Sequence, residues 1–171
     1  MKPHIKLLVV VSCVCAIISA CIGVFYSFDG TARTVTNIYG QEVNLFGDGI
    51  YANDTIMKAG ATKGTDIVII IASSLLLYVV LFLSRKKYAS FLQSGLLSLI
   101  LYASTCLIMG VSFNRLFLLY TLQFGSTLFA FILSMTELLQ SQSFDDALYE
   151  KRLTGTAIFI LIGGGSALVW M

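Results

Sequence analysis

Apolar residues in this chain fall into five long runs, 5–28, 67–84, 91–113, 116–139 and 154–171. Each reaches the roughly 17–18 residues that a helix rising about 1.5 Å per residue needs to cross a hydrocarbon core about 30 Å thick. Apart from Lys6 near the start of the first run and Glu137 near the end of the fourth, they carry no charge. Backbone groups in lipid have no water to bond, so each run must close its hydrogen bonds internally as a helix. The pattern predicts an all-α transmembrane helix bundle of about five spans, a single membrane domain over 1–171. The links between spans two, three and four are short, which makes those spans antiparallel neighbours.

The segment 29–66 is the one sizeable polar stretch between spans, and its first half alternates as strands do. Thr34-Val35-Thr36-Asn37-Ile38 and Glu42-Val43-Asn44-Leu45-Phe46 flank a turn at Tyr39-Gly40-Gln41, so a small extracytoplasmic β-hairpin is expected over the outer mouth of the bundle. Gly47-Asp48-Gly49 reads as a second turn. Asn53 or Asp54 would cap a short helix to about Gly60, and Thr65 or Asp66 would cap the second span. The 140–152 segment is polar and suits a surface helix.

Composition narrows the class. Of 171 residues 57% are hydrophobic and 12% charged, against about 45–50% and about 25% in ordinary globular domains. So few charges exclude a soluble enzyme, a disordered chain and a coiled coil. A net charge of +2, with no basic run longer than Arg85-Lys86-Lys87, excludes a nucleic-acid partner. With the N-terminus in the cytoplasm, the inner segments hold Lys2, Lys6, Arg85, Lys86, Lys87, Lys151 and Arg152, and the outer ones Arg33, Lys58, Lys63 and Arg115. The excess of basic residues inside favours that orientation. The fifth run ends flush at Met171, which predicts further helices beyond it.

The first run admits a second reading. A basic start, an apolar stretch over 7–18 and Ile18-Ser19-Ala20-Cys21 resemble a bacterial lipobox, which implies a lipoprotein cleaved at Cys21. The apolar sequence continues past Cys21 through Ile22-Gly23-Val24-Phe25-Tyr26, however, and a retained helix fits it better. Cys13, Cys15, Cys21 and Cys106 all lie inside spans, where small buried cysteines pack rather than staple an exported loop.

Tyr120, Gln123, Thr127, Ala130, Ser134 and Glu137 recur at spacings of three and four, one seam of the fourth span. Ser94, Ser98, Tyr102 and Thr105 in the third span and Ser74 and Tyr78 in the second are its expected partners. Tyr78, Ser98, Tyr102, Tyr120, Gln123 and Thr127 are therefore the candidate polar seam, either a small-solute path or interhelical hydrogen bonding. Bonding is favoured, because no buried ionisable residue accompanies the stripe. Gly163-Gly164-Gly165 and the pair Gly163 and Ala167 form a small-xxx-small face for close helix packing. In the loop, Asp48, Ile50, Tyr51 and Asp54 are the candidate interaction residues, with Ile50-Tyr51 taken as exposed. Asp48, Asn53 and Asp54 with Glu42 have the oxygens for calcium but no EF-hand spacing, and turns and caps account for them. No catalytic set, metal site or cofactor motif is expected.

Gly30, Tyr39-Gly40, Gly47-x-Gly49-x-Tyr51-x-x-Asp54 and Gly64-x-Asp66, set between two spans, resemble the first extracytoplasmic loop of a bacterial family of polytopic membrane proteins with no established activity. The resemblance covers about 25–70. It implies a bacterial cytoplasmic membrane and a further C-terminal helix, and transfers no site. Together these readings predict a multi-pass membrane subunit or interaction protein. Its partners are the bilayer and another membrane protein or further helices of its own chain. A small-solute transporter is the alternative.

Overall fold

The computed structural model describes residues 2–28, 30–84 and 89–141. The expected fifth span with Gly163 and Ala167, most of the 140–152 segment and the Arg85-Lys86-Lys87 turn lie outside the described residues. The chain divides into two compact units, Met1–Leu139 and Gln140–Met171, and the bundle is the first. In order it contains α1 (Pro3–Phe25), β1 (Arg33–Thr36), β2 (Glu42–Leu45), α2 (Ile56–Tyr78) prolonged by a π-helical turn (Val79–Leu83), α3 (Ala89–Gly110) and α4 (Phe117–Ser141). Among the described residues, four helices are long and apolar enough to cross a membrane.

Proline stands in the first turn of α1, where its missing N–H costs nothing. The helix stops at Phe25, three residues before its apolar run does. Asp48 causes the stop: its carboxylate accepts from Ser27 Oγ at 2.6 Å, Phe28 N at 2.9 Å and Gly30 N at 3.4 Å, drawing the chain into the loop.

A second boundary differs more. Rather than a short helix to Gly60 and a new cap at Thr65 or Asp66, α2 is one helix from Ile56. Thr55 caps it by accepting from Lys58 N. Gly60 and Gly64 each cost a helix about 1 kcal/mol relative to alanine. That cost is met by fastening on both sides: Lys58 pairs with Asp54 at 2.6 Å, Ala59 is buried, and Asp66 accepts from Tyr51 Oη at 2.7 Å. With its π-helical turn α2 has 28 residues, about 42 Å at 1.5 Å per residue, against a hydrocarbon core of about 30 Å. The early start places Asp66 inside a helix and buried. This corrects the expectation that Asp66 caps the second span and that no buried ionisable residue lies within the helices.

The core is a stripe from each helix. Ile5, Val9, Cys13, Ala16 and Ala20 of α1 recur every three or four residues and meet Ile69, Ala72, Leu76 and Val80 of α2, with Leu97, Ile100 and Ala103 of α3 and Ala130 of α4 closing the cluster. The small side chains at 16, 20 and 72 let the antiparallel α1–α2 pair approach closely.

β1 and β2 pair antiparallel with Val35 opposite Val43. Asn37 makes the turn: its Oδ1 accepts from Tyr39 N and Gln41 N, and its own N–H bonds Gln41 O. The hairpin is largely exposed on both faces, so it does not cover the bundle as expected. The following segment, 46–55, does so, with Tyr51 and Asp54 buried. Its return is fixed by Phe46 N to Asp54 O and Gly47 N to Ala52 O. Gly47 has a φ of 80°, and a side chain there would overlap Thr31 O where the two strands of the loop cross.

Candidate functional site

The loop end of the bundle gathers chemistry that sequence spacing does not reveal. Asp54, buried at 2% exposure, accepts from Ser112 N at 3.1 Å and Ser112 Oγ at 2.9 Å besides pairing with Lys58. It thereby ties the loop to the α3–α4 turn. Asp48 ties the same loop to the end of α1. The hydrogen bond from Ser27, followed by that from Phe28 N, holds its carboxyl down at about 2. The oxygens of these two candidate residues are therefore committed to donors of the loop, of α2 and of the α3–α4 turn, and among the described residues no group of three metal-ligating side chains forms.

Between those ties, Tyr51 enters the bundle fully buried, at 0% exposure. The expectation of an exposed Ile50-Tyr51 segment is thus overturned at Tyr51, while Ile50 stays partly accessible. The cause is a polar anchor: Tyr51 Oη donates to Asp66 Oδ2, and Gly23 of α1 leaves the room for both. A Cβ at Gly23 would overlap Asp66 Oδ2 and lie 2.6 Å from Tyr51 Oη. Burial, with the Asp66 carboxyl beside it, pushes the Tyr51 hydroxyl up from its ordinary value. Tyr120 lies near enough to act on Tyr51 electrostatically. Its hydroxyl and Asn114 Nδ2 are buried beside one another and beside Tyr51, without ideal hydrogen-bond geometry.

Beside this cluster opens a cavity of about 780 Å³. Tyr26, Phe28 and Ile50 form one wall, Phe113, Phe117 and Leu118 the other, with Asn53, Asn114 and Arg115 at the polar edge. Asn53 Oδ1 accepts from Arg33 at 2.6 Å. Asn114 Oδ1 accepts from Leu116 N at 2.9 Å and so shapes the start of α4. Arg115 is exposed and forms no ion pair among the described residues.

Deeper in the bundle, α4 presents its seam inward: Tyr120, Gln123, Thr127, Ala130 and Ser134 are all buried. Of its expected partners, Ser94 is buried on the inner face of α3, but the candidate seam residues of α2 and α3 are not. Tyr78, Ser98 and Tyr102 are exposed, Tyr102 at 69%. Gln93, Leu97, Ile100, Ser104 and Leu107 make the inner face of α3 instead. Ser98 and Thr105 satisfy their hydroxyls on the carbonyls of Gly95 and Leu101, at 2.7 and 2.9 Å, so polarity alone does not turn them inward. Gln123 is the hub: Oε1 accepts from Ser19 Oγ at 2.7 Å, and Nε2 donates to Ser104 Oγ at 2.9 Å. Ser12 bonds Thr127 at 2.5 Å and Gln93 donates to Ser134 at 2.8 Å. At about 0.6 kcal/mol per pair in a membrane, these four bonds contribute about 2–3 kcal/mol. Ser12, Ala16, Ser19 and Gly23 share one face at helical spacing, the signal that would have nominated α1 as the seam's partner.

The four cysteines are free thiols; Cys13 and Cys15 are buried and Cys106 is exposed. Comparison with protein-family models, with curated proteins and with solved structures gives no match.

Proposed function

We propose that this chain is a non-catalytic, multi-pass integral membrane protein that presents a fixed extracytoplasmic cap to another membrane protein. The observation that carries the reading is the hairpin tip. Ile38 is 92% exposed and Tyr39 81% exposed, on a loop anchored at its base by Asp48, Tyr51 and Asp54. An apolar pair held out on an anchored loop suits a small hot-spot contact, where tyrosine and its aliphatic neighbour supply area at low entropic cost. Retention of the first span is supported by the Ser19–Gln123 bond and the burial of Ala20, both on α1 beside Cys21. The closed pairing of Gln123 favours interhelical bonding over a solute path along the seam. A bacterial cytoplasmic membrane and an inside N-terminus complete the proposal.

A photocrosslinking residue at Tyr39, installed in the full chain in its own membrane, tests the reading. One discrete adduct with a second membrane protein is expected, weakened by Ile38→Asp. Failure to find any adduct from Tyr39, with the same probe at Val35 and Asn44 also silent, would overturn it.

A further inference from the structure

We infer that the loop end and the α1–α4 face form one binding site for an anionic phospholipid, whose phosphate meets Arg115 and whose acyl chain lies between α1 and α4. Two hollows compose it. The cavity of about 780 Å³ described above and a groove of about 510 Å³ share Leu118. The groove continues down the bundle along Leu8 and Val11 of α1 and Leu122, Gly125 and Phe129 of α4.

The occupant's head is set by charge and donors. Arg115 has no ion pair among the described residues, and it borders the cavity together with Asn114. α4 starts at Phe117, two residues on, so the positive end of its dipole favours the same sign of ligand. The acids flanking the cavity residues Gly49 and Asn53 have their own donors: Asp48 is taken by Ser27, Phe28, Gly30 and Gly49, and Asp54 by Ser112 and Lys58. Arg115 is therefore a cation at this edge to which the described residues supply no counter-charge.

The tail is set by the groove. Thr121 Oγ1 bonds Phe117 O and Ser126 Oγ bonds Gln123 O, so the two hydroxyls lining it are satisfied internally and the wall is effectively apolar. No atom lies within 4 Å of a Cβ built on Gly125, which leaves the floor open. From Leu118 to Phe129 the helix rises about 16 Å, close to the half-thickness of a hydrocarbon core about 30 Å across. The site thus has a cationic head end at the level where α4 begins and an apolar channel one leaflet deep. Tyr26, Phe28, Phe113 and Phe117 surround the head end as interfacial aromatics do. A free phosphate would leave the groove empty, and an uncharged lipid would leave Arg115 unmatched.

The test is native mass spectrometry of the full chain, released from bilayers of equal phosphatidylglycerol and phosphatidylcholine. One phosphatidylglycerol should remain per chain, preferred by about tenfold or more over phosphatidylcholine, a difference well within what a charge-assisted contact supplies. Arg115→Gln should bring the two lipids near parity, and Gly125→Phe should release both while the thermal midpoint of each variant is kept. Equal retention of the two lipids by the native chain would overturn the inference. So would a phosphatidylglycerol preference that survives Arg115→Gln, or a crosslink from Gly125→Cys to residues 154–171 in place of lipid.

Discussion

Gly23 occupies the point where α1, the loop and α2 come nearest, and the cost of a side chain there is readable atom by atom. A methyl group would overlap Asp66 Oδ2 and press on Tyr51 Oη, so either the hydrogen bond opens or α1 shifts. Overpacking of this kind costs about 1–3 kcal/mol, and a parted Tyr51–Asp66 pair leaves a buried carboxyl without its donor, at a further penalty of similar size. Gly23→Ala should therefore lower the stability of the purified chain in detergent by about 1–3 kcal/mol, seen as a lower thermal midpoint. Gly60→Ala is the matched control. It sits in α2 with nothing within 4 Å of its Cβ, and should be neutral or stabilising by up to about 1 kcal/mol. Equal effects at the two sites would show that residue 23 lines no such contact. None of this was legible in the sequence, because a close approach is a property of residues 23, 51 and 66 together, and each alone reads otherwise. Gly23 falls within an apolar run, Tyr51 in a turn-rich loop, and Asp66 at a plausible cap.

Among the elements, the loop owes its form to one carboxylate. Asp48 accepts from Ser27 Oγ and from the backbone N–H of Phe28, Gly30 and Gly49, and these bonds, Ser27's first, depress its carboxyl from an ordinary 3.8 to about 2. A depressed carboxyl favours the folded loop only while it is ionised. The contribution is therefore complete above about pH 4 and is lost as the pH falls through about 2. The amide resonances of Phe28 and Gly49 should titrate with a midpoint near 2, and a midpoint near 4 would mean that Asp48 is not so held. Element by element, the sequence was informative where a single periodicity decides and silent where a contact decides. α3 and α4 follow their apolar runs within a few residues, and the hairpin follows its alternation around Asn37–Gln41. The ends of α1 and the start of α2 were displaced because Asp48 and Tyr51 set them from outside the segment. The seam shows the same division. α4 was read correctly from spacing, since Tyr120, Gln123 and Thr127 have no alternative inner face. On α3 the inner face is rotated from the expected one: Leu97, Ile100 and Leu107 are buried with Ser104, which Gln123 bonds, while Ser98 and Thr105 satisfy their hydroxyls on their own helix.

For the molecule as a whole, the length of α2 and the distribution of basic residues argue for the same placement. Its 28 residues exceed the span of a hydrocarbon core by about 12 Å, roughly eight residues. Assigning the excess to the loop end keeps Lys58 and Lys63 in water. Lys63 lies 4.8 Å from the centre of the Phe46 ring, so the projecting turns are fastened to the loop rather than left free. Lys2 and Lys6 lie at the opposite end of α1 from that loop. The proposed orientation, with the N-terminus in the cytoplasm and the hairpin outside, follows the positive-inside bias. With Cys13, Cys15, Cys21 and Cys106 replaced by alanine, Ile38→Cys should react with a membrane-impermeant maleimide added to intact cells whose outer barrier is opened. Lys2→Cys should react only after the cytoplasmic membrane is permeabilised. The reverse pattern would invert the molecule, placing the Arg115 cavity in the inner leaflet and the hairpin tip toward a cytoplasmic partner.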